Sequence, residues 1–482
     1  VDPVAFVADF WPHLSTVLVI ALSVLTSGHA ILHKREVHAS ISWAGLIWLA
    51  PVFGALAYVL LGRNRIRRRA ARLRTEAPSV TLAQELASIS PAALADSVGE
   101  SHEGLVDLAR LMRTATGHTL CEGNRVAMLV DGDAAYPAML AAIGEARSTV
   151  ALTTYIFEAD GPGARFVEAL ADAAGRGVEV RVLIDDMGAR YGRPPITEAL
   201  RARGVRVSRF LPARRAAYFN LRNHRKLLVV DGERAFTGGL NIRPDHELAA
   251  HPEHPTRDLH FEVRGPVVTQ LAHIFTEDWC FATGEVLDPD RWMPRVTAQG
   301  ETPARAIPDG PDEDIDKVRW AFLGGIACAR KSIRIMTPYF LPDTAIATAL
   351  NVAAMRGVSV DVLVPERGNL PPVQWAMWGH FSKVLGHGCR LWLNRGVFDH
   401  GKLMVVDDHW VLFGSPNWDP RSLRLNFELC VECYDAGLAA DVIEQFESRR
   451  AGALSVTPQM LSGRSLALRL RDGVARLFTP YL

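Results

Sequence analysis

Two stretches of the chain hold the same reactive side chains in the same order. His224-Arg225-Lys226 leads through Leu227, Leu228, Val229 and Val230 to Asp231, and His400-Gly401-Lys402 leads through Leu403, Met404, Val405 and Val406 to Asp407. Seven residues after each Asp a small-residue turn begins, and each turn ends in Asn: Gly238-Gly239-Leu240-Asn241 and Gly414-Ser415-Pro416-Asn417. Alternate residues of a strand share a face, so the His and Lys of each copy point into one pocket. An imidazole titrates near neutrality, so one can be a nucleophile while another is a proton donor. Ammonium and N–H donors stabilise the charge that builds on phosphoryl oxygens during displacement. The chemistry that needs all of these is in-line displacement at a phosphodiester. One His attacks phosphorus, the other protonates the leaving alkoxide, and a covalent phosphohistidine divides one hard step into two easier ones. The candidate catalytic residues are His224, Lys226, Asp231, His400, Lys402 and Asp407. Asn241, Ser415 and Asn417 are the candidate substrate contacts. A single His-x-Lys on a strand is common and carries little meaning; two full copies at matched offsets do not arise by coincidence.

The elements that must position these residues are also duplicated. Ser148 to Tyr155 matches Ser332 to Tyr339, each an apolar strand ending in Tyr. Arg176-Gly177-Val178 runs into Ile184 as Arg356-Gly357-Val358 runs into Val364, each the exit of a helix into the next strand. Downstream, Asp258-Leu259 aligns with Glu428-Leu429. Each half therefore reads as strand, helix, strand and catalytic strand, with Asp231-Gly232 and Asp407-Asp408 as turns. Packing the halves about a pseudo-two-fold axis would make one site from the two motifs.

The paired His-x-Lys-(x)4-Asp motifs resemble those of the phospholipase D superfamily. The segments Thr154-Tyr155-Ile156-Phe157-Glu158, Arg222-Asn223-His224-Arg225-Lys226, Thr337-Pro338-Tyr339-Phe340 and Arg421-Ser422 to Asn426-Phe427-Glu428 are similar to phrases of the bacterial cardiolipin synthases. This resemblance covers nearly the whole chain. It implies an α/β fold of two phospholipase-D-like lobes, mixed sheets flanked by helices, and a ping-pong reaction without metal or other cofactor. A phosphatidyl group passes to one His and is then taken by a hydroxyl of phosphatidylglycerol, giving cardiolipin and glycerol. It also implies that Asp258 and Glu428, counted here with the substrate-binding set, orient the imidazoles. Gly401 stands where Ala is usual and Gly239 where Ser is usual; both are small, so the geometry is expected to survive.

The N-terminus suggests why such an enzyme would sit at a membrane. Trp11 to Leu32 and Ala39 to Leu61 carry no Asp, Glu, Lys or Arg, and each is long enough to cross hydrocarbon as a helix. A cluster from Arg63 to Arg74 follows, which argues for a cytoplasmic catalytic domain and contact with anionic headgroups. A signal peptide is disfavoured, because Val1 to Phe10 holds Asp2 and Asp9 and no basic residue, and no Ala-x-Ala site follows. The expectation is a two-helix transmembrane hairpin in a bacterial inner membrane.

The resulting layout is an anchor over 1–74, a helical connector over 75–120, lobes over 121–284 and 314–450, a Pro-, Asp- and Gly-rich linker over 285–313, and a tail over 451–482. In that tail leucines alternate with Arg464, Arg469, Arg471 and Arg476, as in an interfacial helix or a helix closing the soluble domain. Lys plus Arg equal Asp plus Glu at 53 each, so no global basic field invites nucleic acid. Cys430-x-x-Cys433 lacks a partner pair and falls in a strand-like run, so the six cysteines read as reduced thiols. Asp160-Gly161 to Arg165 only opens the signature of the CDP-alcohol phosphotransferases, and the later aspartates are missing. His251-Pro-Glu-His254 reads as surface loop. The competing readings are a hydrolase of the same superfamily, with water as acceptor, and a silent membrane scaffold, which intact His and Lys in both copies oppose. Oligomeric state has no signature in the sequence.

Overall fold

The computed structural model describes residues 3–34, 37–62, 86–99, 102–192, 194–211, 221–311 and 314–479, in two compact units. The smaller is N-terminal and helical. Its helix α1 (Pro3–His33) is continuous, and the segment Phe10–His33 spans 24 residues and contains an 18-residue stretch with a mean hydropathy of 1.8. At about 1.5 Å per residue that is long enough for a hydrocarbon layer of about 30 Å. The second apolar stretch is divided into α2 (Val37–Leu49) and α3 (Pro51–Ala57), followed by a π turn over Tyr58–Gly62. Pro51 is the cause: it has no N–H to donate and pushes the residue before it out of the helical region. Ala50 accordingly sits at φ −141°, ψ 74°. Among the described residues, one helix rather than the expected two has the length and apolarity to cross a membrane unbroken. Ala30, Trp43, Ile47 and Tyr58 pack the unit together. The arginine cluster from Arg63 to Arg74 and the start of the connector, 75–85, lie outside the described residues.

The larger unit is α/β, built on one mixed sheet of 16 strands. The first half contributes β1 (Cys121–Val130), β2 (Thr149–Thr154), β3 (Glu179–Asp185), β4 (Arg206–Phe210), β5 (Arg222–Asn223), β6 (Leu227–Val230), β7 (Arg234–Gly238), β8 (Thr256–Arg257) and β9 (Leu259–Arg264). The second contributes β10 (Thr302–Asp309), β11 (Ser332–Met336), β12 (Ser359–Pro365), β13 (Arg390–Asn394), β14 (Phe398–Asp399), β15 (Leu403–Val406), β16 (Trp410–Gly414), β17 (Asn426–Tyr434) and β18 (Leu454–Ser455). The strand order is β1-β9-β7-β6-β2-β3-β4 in one half and β10-β17-β16-β15-β11-β12-β13-β18 in the other. Parallel β2–β3–β4 is matched by β11–β12–β13, and the antiparallel β6–β7–β9 by β15–β16–β17. The halves meet where β1 runs antiparallel to β10, with Cys121 opposite Ala304.

That junction lies inside the stretch read from sequence as a linker. All eight residues of β10 are buried, yet Pro303 and Pro308 disguise it, since proline removes a ladder donor. The β1 partner covers only the start of β10, so Pro308 bonds on one side alone, opposite Leu429 of β17. Helices of the unit include α4 (Val267–Thr283), α5 (Pro371–Leu385), α6 (Pro420–Arg424), α7 (Ala436–Ala451) and α8 (Leu466–Leu477). Helices over Pro91–Val98 and Glu103–Thr116 bury Leu94, Leu105 and Met112 in the core of the second half.

Candidate active site

Two short parallel pairings create the site by crossing the halves. Strand β5 pairs with β17, Asn223 opposite Phe427, and the next residues are His224 and Glu428. Strand β14 pairs with β8, Asp399 opposite Arg257, and the next residues are His400 and Asp258. The His224 N–H donates to the Phe427 carbonyl at 2.8 Å and the His400 N–H to the Arg257 carbonyl at 2.7 Å. Each imidazole therefore meets a carboxylate from the other half: Nδ1 of His224 lies 3.0 Å from Glu428 Oε2, and Nδ1 of His400 lies 2.7 Å from Asp258 Oδ2. A carboxylate only accepts, so Nδ1 carries the proton and Nε2 keeps its lone pair. Both carboxylates are wholly buried, whereas the imidazoles are 11% and 12% exposed. Asp258 and Glu428 thus stand buried behind the histidines, each against Nδ1 of an imidazole, whereas the sequence reading counts them with the substrate-binding set.

The two lysines complete the cluster. Lys226 Nζ donates to the His224 carbonyl at 2.7 Å and lies 5.6 Å from the centre of the Tyr155 ring. Lys402 Nζ donates to the His400 carbonyl and stands 2.9 Å from His400 Nδ1. Burial lowers Lys226 to about 7 and Lys402 to about 8. Burial also pushes His224 down to about 4, against the pull of Glu428. His400 is held well below its ordinary value by burial and by the Lys402 and Lys226 ammonium groups. Burial alone would raise Glu428, but His224, Lys226 and the Ser415 hydroxyl outweigh it and keep the carboxylate ionised. The site therefore favours neutral imidazoles and sets two buried lysines against two buried carboxylates, and a bound anionic phosphodiester would favour the charged form of both lysines.

The structure does not bring Asp231 and Asp407 to this cluster. Each lies beyond the far end of its catalytic strand, in the left-handed region at φ 53° and 51°. The Asp231 carboxylate accepts the N–H groups of Arg147, Ser148 and Thr149, and that of Asp407 those of Arg330, Lys331 and Ser332. These aspartates tie the catalytic strand to the start of β2 or β11, which is a structural task. Ser415 is also committed: its hydroxyl donates to Glu428 Oε2 and accepts from the Leu429 N–H at 3.0 Å. Asn241 Oδ1 accepts the Ile156 N–H at 3.1 Å. Asn417 supports Asp419, while its buried Oδ1 has no donor among the described residues.

Several residues of the site carry no motif that isolates them in the sequence. Tyr155 presents its ring to His224 at a centroid distance of 5.2 Å. Arg222 shares the His224 face of its strand, and together with Arg421 it acts electrostatically on Tyr155. Arg225 is buried and donates to Asp278 of α4 at 2.6 Å and to the Glu428 carbonyl at 2.9 Å. In the second half the polarity reverses: Asp399 accepts from Arg449 of α7 at 2.9 Å. A Cβ on Gly401 would lie 2.7 Å from the Met336 sulfur and 3.3 Å from Arg449, so glycine leaves the space those side chains fill.

A family described as the cardiolipin synthase, phospholipase-D-like domain matches residues 139–279 and 323–450, once per half. A phospholipase D-nuclease N-terminal family matches 18–63. Cardiolipin synthase A of Pseudomonas aeruginosa is 32% identical over 100% of this chain and 98% of its own length. The chain belongs to the cardiolipin synthase family. The cardiolipin synthase of Listeria welshimeri is 27% identical over 98% of this chain and 99% of its own. The phosphatidylserine synthase of Haemophilus influenzae shares the fold, with a TM-score of 0.59 at 14% identity over 78% of this chain and all of that one. Family membership makes the protein a phosphatidyltransferase-type enzyme with phospholipid substrates and membrane association.

Other signals in the chain fall outside this site. A cavity of about 960 Å³ opens near Asp231, lined by Arg147, Arg264, Arg291 and Asp288 and by neither motif histidine. Cys430 and Cys433 lie on β17 three residues apart, so they face opposite sides, and all six cysteines are free. Among the described residues no cluster of His, Cys, Asp and Glu is placed to hold a metal. His254 is exposed, and Asp160 to Arg165 form a loop entering the helix Pro162–Gly175.

Proposed function

We propose that this synthase moves a phosphatidyl group from one phosphatidylglycerol to a second, releasing glycerol and forming cardiolipin through a phosphohistidine. The observation that carries the reading is the crossed pair of imidazoles, each fixed by a buried carboxylate of the other half and flanked by a buried lysine. We assign His224 as nucleophile. Its Nε2 attacks phosphorus, the P–O bond to the leaving glycerol breaks, and the protonated Nε2 of His400 delivers the proton to that oxygen. The diester's negative charge favours the proton on His400 by opposing the lysines that depress it. In the second step an acceptor hydroxyl gives its proton to His400 and attacks phosphorus, and the P–N bond breaks. Glu428 supports His224 in this role, because a carboxylate that stays ionised stabilises the cationic phosphoimidazole. Lys226 and Lys402 offset the charge of the transferring group, and the Asn241 and Asn417 Nδ2 groups are the candidate hydrogen-bond donors to it, with no metal or cofactor. Exchange of one diester for another is nearly isoenergetic, so no activated donor is needed.

We further propose a bacterial inner-membrane setting, with α1 crossing the bilayer, α2 and α3 forming a kinked return, and the catalytic unit on the cytoplasmic side. The Arg63 to Arg74 cluster supports that orientation. Purified enzyme given phosphatidylglycerol should yield cardiolipin and glycerol by mass analysis; phosphatidic acid as the sole lipid product would assign water as acceptor. A phosphoryl adduct trapped on His400 in place of His224 would reverse the assignment of roles, and loss of turnover in EDTA, restored by a divalent ion, would end the metal-free scheme.

A further inference from the structure

The helix α8 is mounted inside out for a soluble domain. Its charged face is turned inward: Asp472 is buried, accepts from Arg464 and Arg471 at 2.7 Å each, and lies against α5 beside Gly379. The Arg464 guanidinium covers the Trp378 ring at 4.2 Å and that of Arg471 covers Trp375 at 4.8 Å. Arg476 donates to the Gly379 carbonyl at 3.3 Å. The opposite face carries Leu466, Leu470, Val474 and Leu477, which are 69%, 61%, 55% and 73% exposed, and Phe478 follows at 57%. At about 100° per residue these positions fall on one continuous arc. Arg471 borders the arc on one side, Arg469 and Arg476 on the other. From Arg464 to Arg476 there are four arginines, one aspartate and no other charged residue.

We propose that α8 is a membrane-docking helix that lies in the surface of an anionic phospholipid bilayer and brings the catalytic unit against it. An apolar arc bordered by arginines is the arrangement of an interfacial helix: the leucines enter the acyl boundary while the exposed Arg469 and Arg476 remain among the headgroups. The net positive charge selects an anionic surface. A second protein copy would need to present a matching acidic rim, and the arc has arginine on both sides. The ionic face is already used against α5, so the helix is held with its leucines outward. This inference does not depend on which phospholipid reaction is catalysed.

The test uses the full-length protein in vesicles of phosphatidylcholine, with and without phosphatidylglycerol. A benzophenone amino acid at Leu470 should form lipid adducts on illumination, several-fold more with phosphatidylglycerol present, whereas the same probe at the exposed Glu253 should not. An adduct to a second copy or within the same chain, or no adduct, overturns the proposal. The outward double substitution Leu470→Asp, Val474→Asp should lower kcat/KM on vesicle phosphatidylglycerol by about tenfold or more and leave turnover of a soluble dihexanoyl form unchanged. Equal loss on both substrates, or on neither, counts against docking. If the unaltered enzyme turned over neither substrate, the proposed reaction would fall, while the photo-adducts would still decide the surface.

Discussion

The two halves support their histidines with different residue pairs, and a double substitution tests whether each pair is a unit. In the second half Glu428 coexists with Ser415, whose hydroxyl donates to it. In the first half the shorter Asp258 stands beside Gly239, and a Cβ at Gly239 would overlap the Asp258 carboxylate. Gly239→Ser should therefore drive Asp258 off His400 Nδ1, now 2.7 Å away. A charge-assisted hydrogen bond is worth about 1.5–3 kcal/mol, and at about 1.4 kcal/mol per decade the loss in kcat is roughly 10–10²-fold. Asp258→Glu alone should also impair turnover, because the longer side chain has no serine to hold it. Combined, Gly239→Ser and Asp258→Glu rebuild the arrangement of the second half, and activity should return to within about fivefold of the parent, a coupling energy of about 1.5–3 kcal/mol. The assay is initial cardiolipin formation by mass analysis, with thermal melting as a check on folding. If the double variant is as slow as the product of the single effects, the packing argument is wrong.

Glu428→Gln keeps the shape of the side chain but removes the buried charge that accepts from His224, so kcat should fall roughly 10–10²-fold, in line with the about 1.5–3 kcal/mol of a hydrogen bond to a charged group; a loss under about fivefold would show that the charge is dispensable. Asp231→Asn should act on stability, lowering the melting temperature through about 1–3 kcal/mol of weakened hydrogen bonding to Arg147, Ser148 and Thr149, while kcat per folded molecule stays within a few-fold; a hundredfold drop in kcat without a stability change would restore Asp231 as a catalytic group. The pH profile follows from the lysines. Each binds an anion only when protonated, so kcat/KM should fall as pH rises through about 7 to 8. The kcat profile should fall at higher pH, because bound phosphate favours the ammonium form; a descending limb at the same pH in both profiles would exclude the lysines as its origin.

The repeat and the motif histidines were legible because duplicated chemistry leaves duplicated text. Matched offsets also located the strands, since short apolar runs such as Leu227–Val230 and Leu403–Val406, each with two valines and closed by an Asp turn, fit buried strands. The crossed pairing was not legible. Nothing in the order of residues says that Glu428 serves His224 and Asp258 serves His400; that is decided by the parallel pairing of two-residue strands. The roles of Asp231 and Asp407 were obscured for the opposite reason. They belong to the motif by spacing, but four strand residues separate them from the lysines, so the same regularity that made the motif visible carries its last residue to the far end of the sheet. Strand β10 was hidden by its prolines, and the kink at Pro51 interrupts a stretch whose composition alone reads as one span.

What the duplicated backbone does not duplicate is charge. Arg225 donates to Asp278 in one half, while Asp399 accepts from Arg449 in the other. After the Asn turn the first half reads Arg243-Pro244-Asp245 and the second Asp419-Pro420-Arg421, the same positions with signs exchanged. Arg243 adds to the field that depresses His400, whereas Arg421 and Arg222 gather around Tyr155 on the His224 side. A reaction that exchanges one alkoxide for another passes the same two oxygens through the same place, and a symmetric site would serve attack and release equally. In the proposed scheme the nucleophile differs from the acid in one respect: it bears a covalent charge for the life of the intermediate. Glu428, hydrogen-bonded by Ser415 and Asn426 and facing His224, suits the half proposed to hold such a charge. The half that pairs a shorter aspartate with a bare glycine leaves His400 with fewer fixed dipoles, which suits an imidazole that gains and loses a proton in each step.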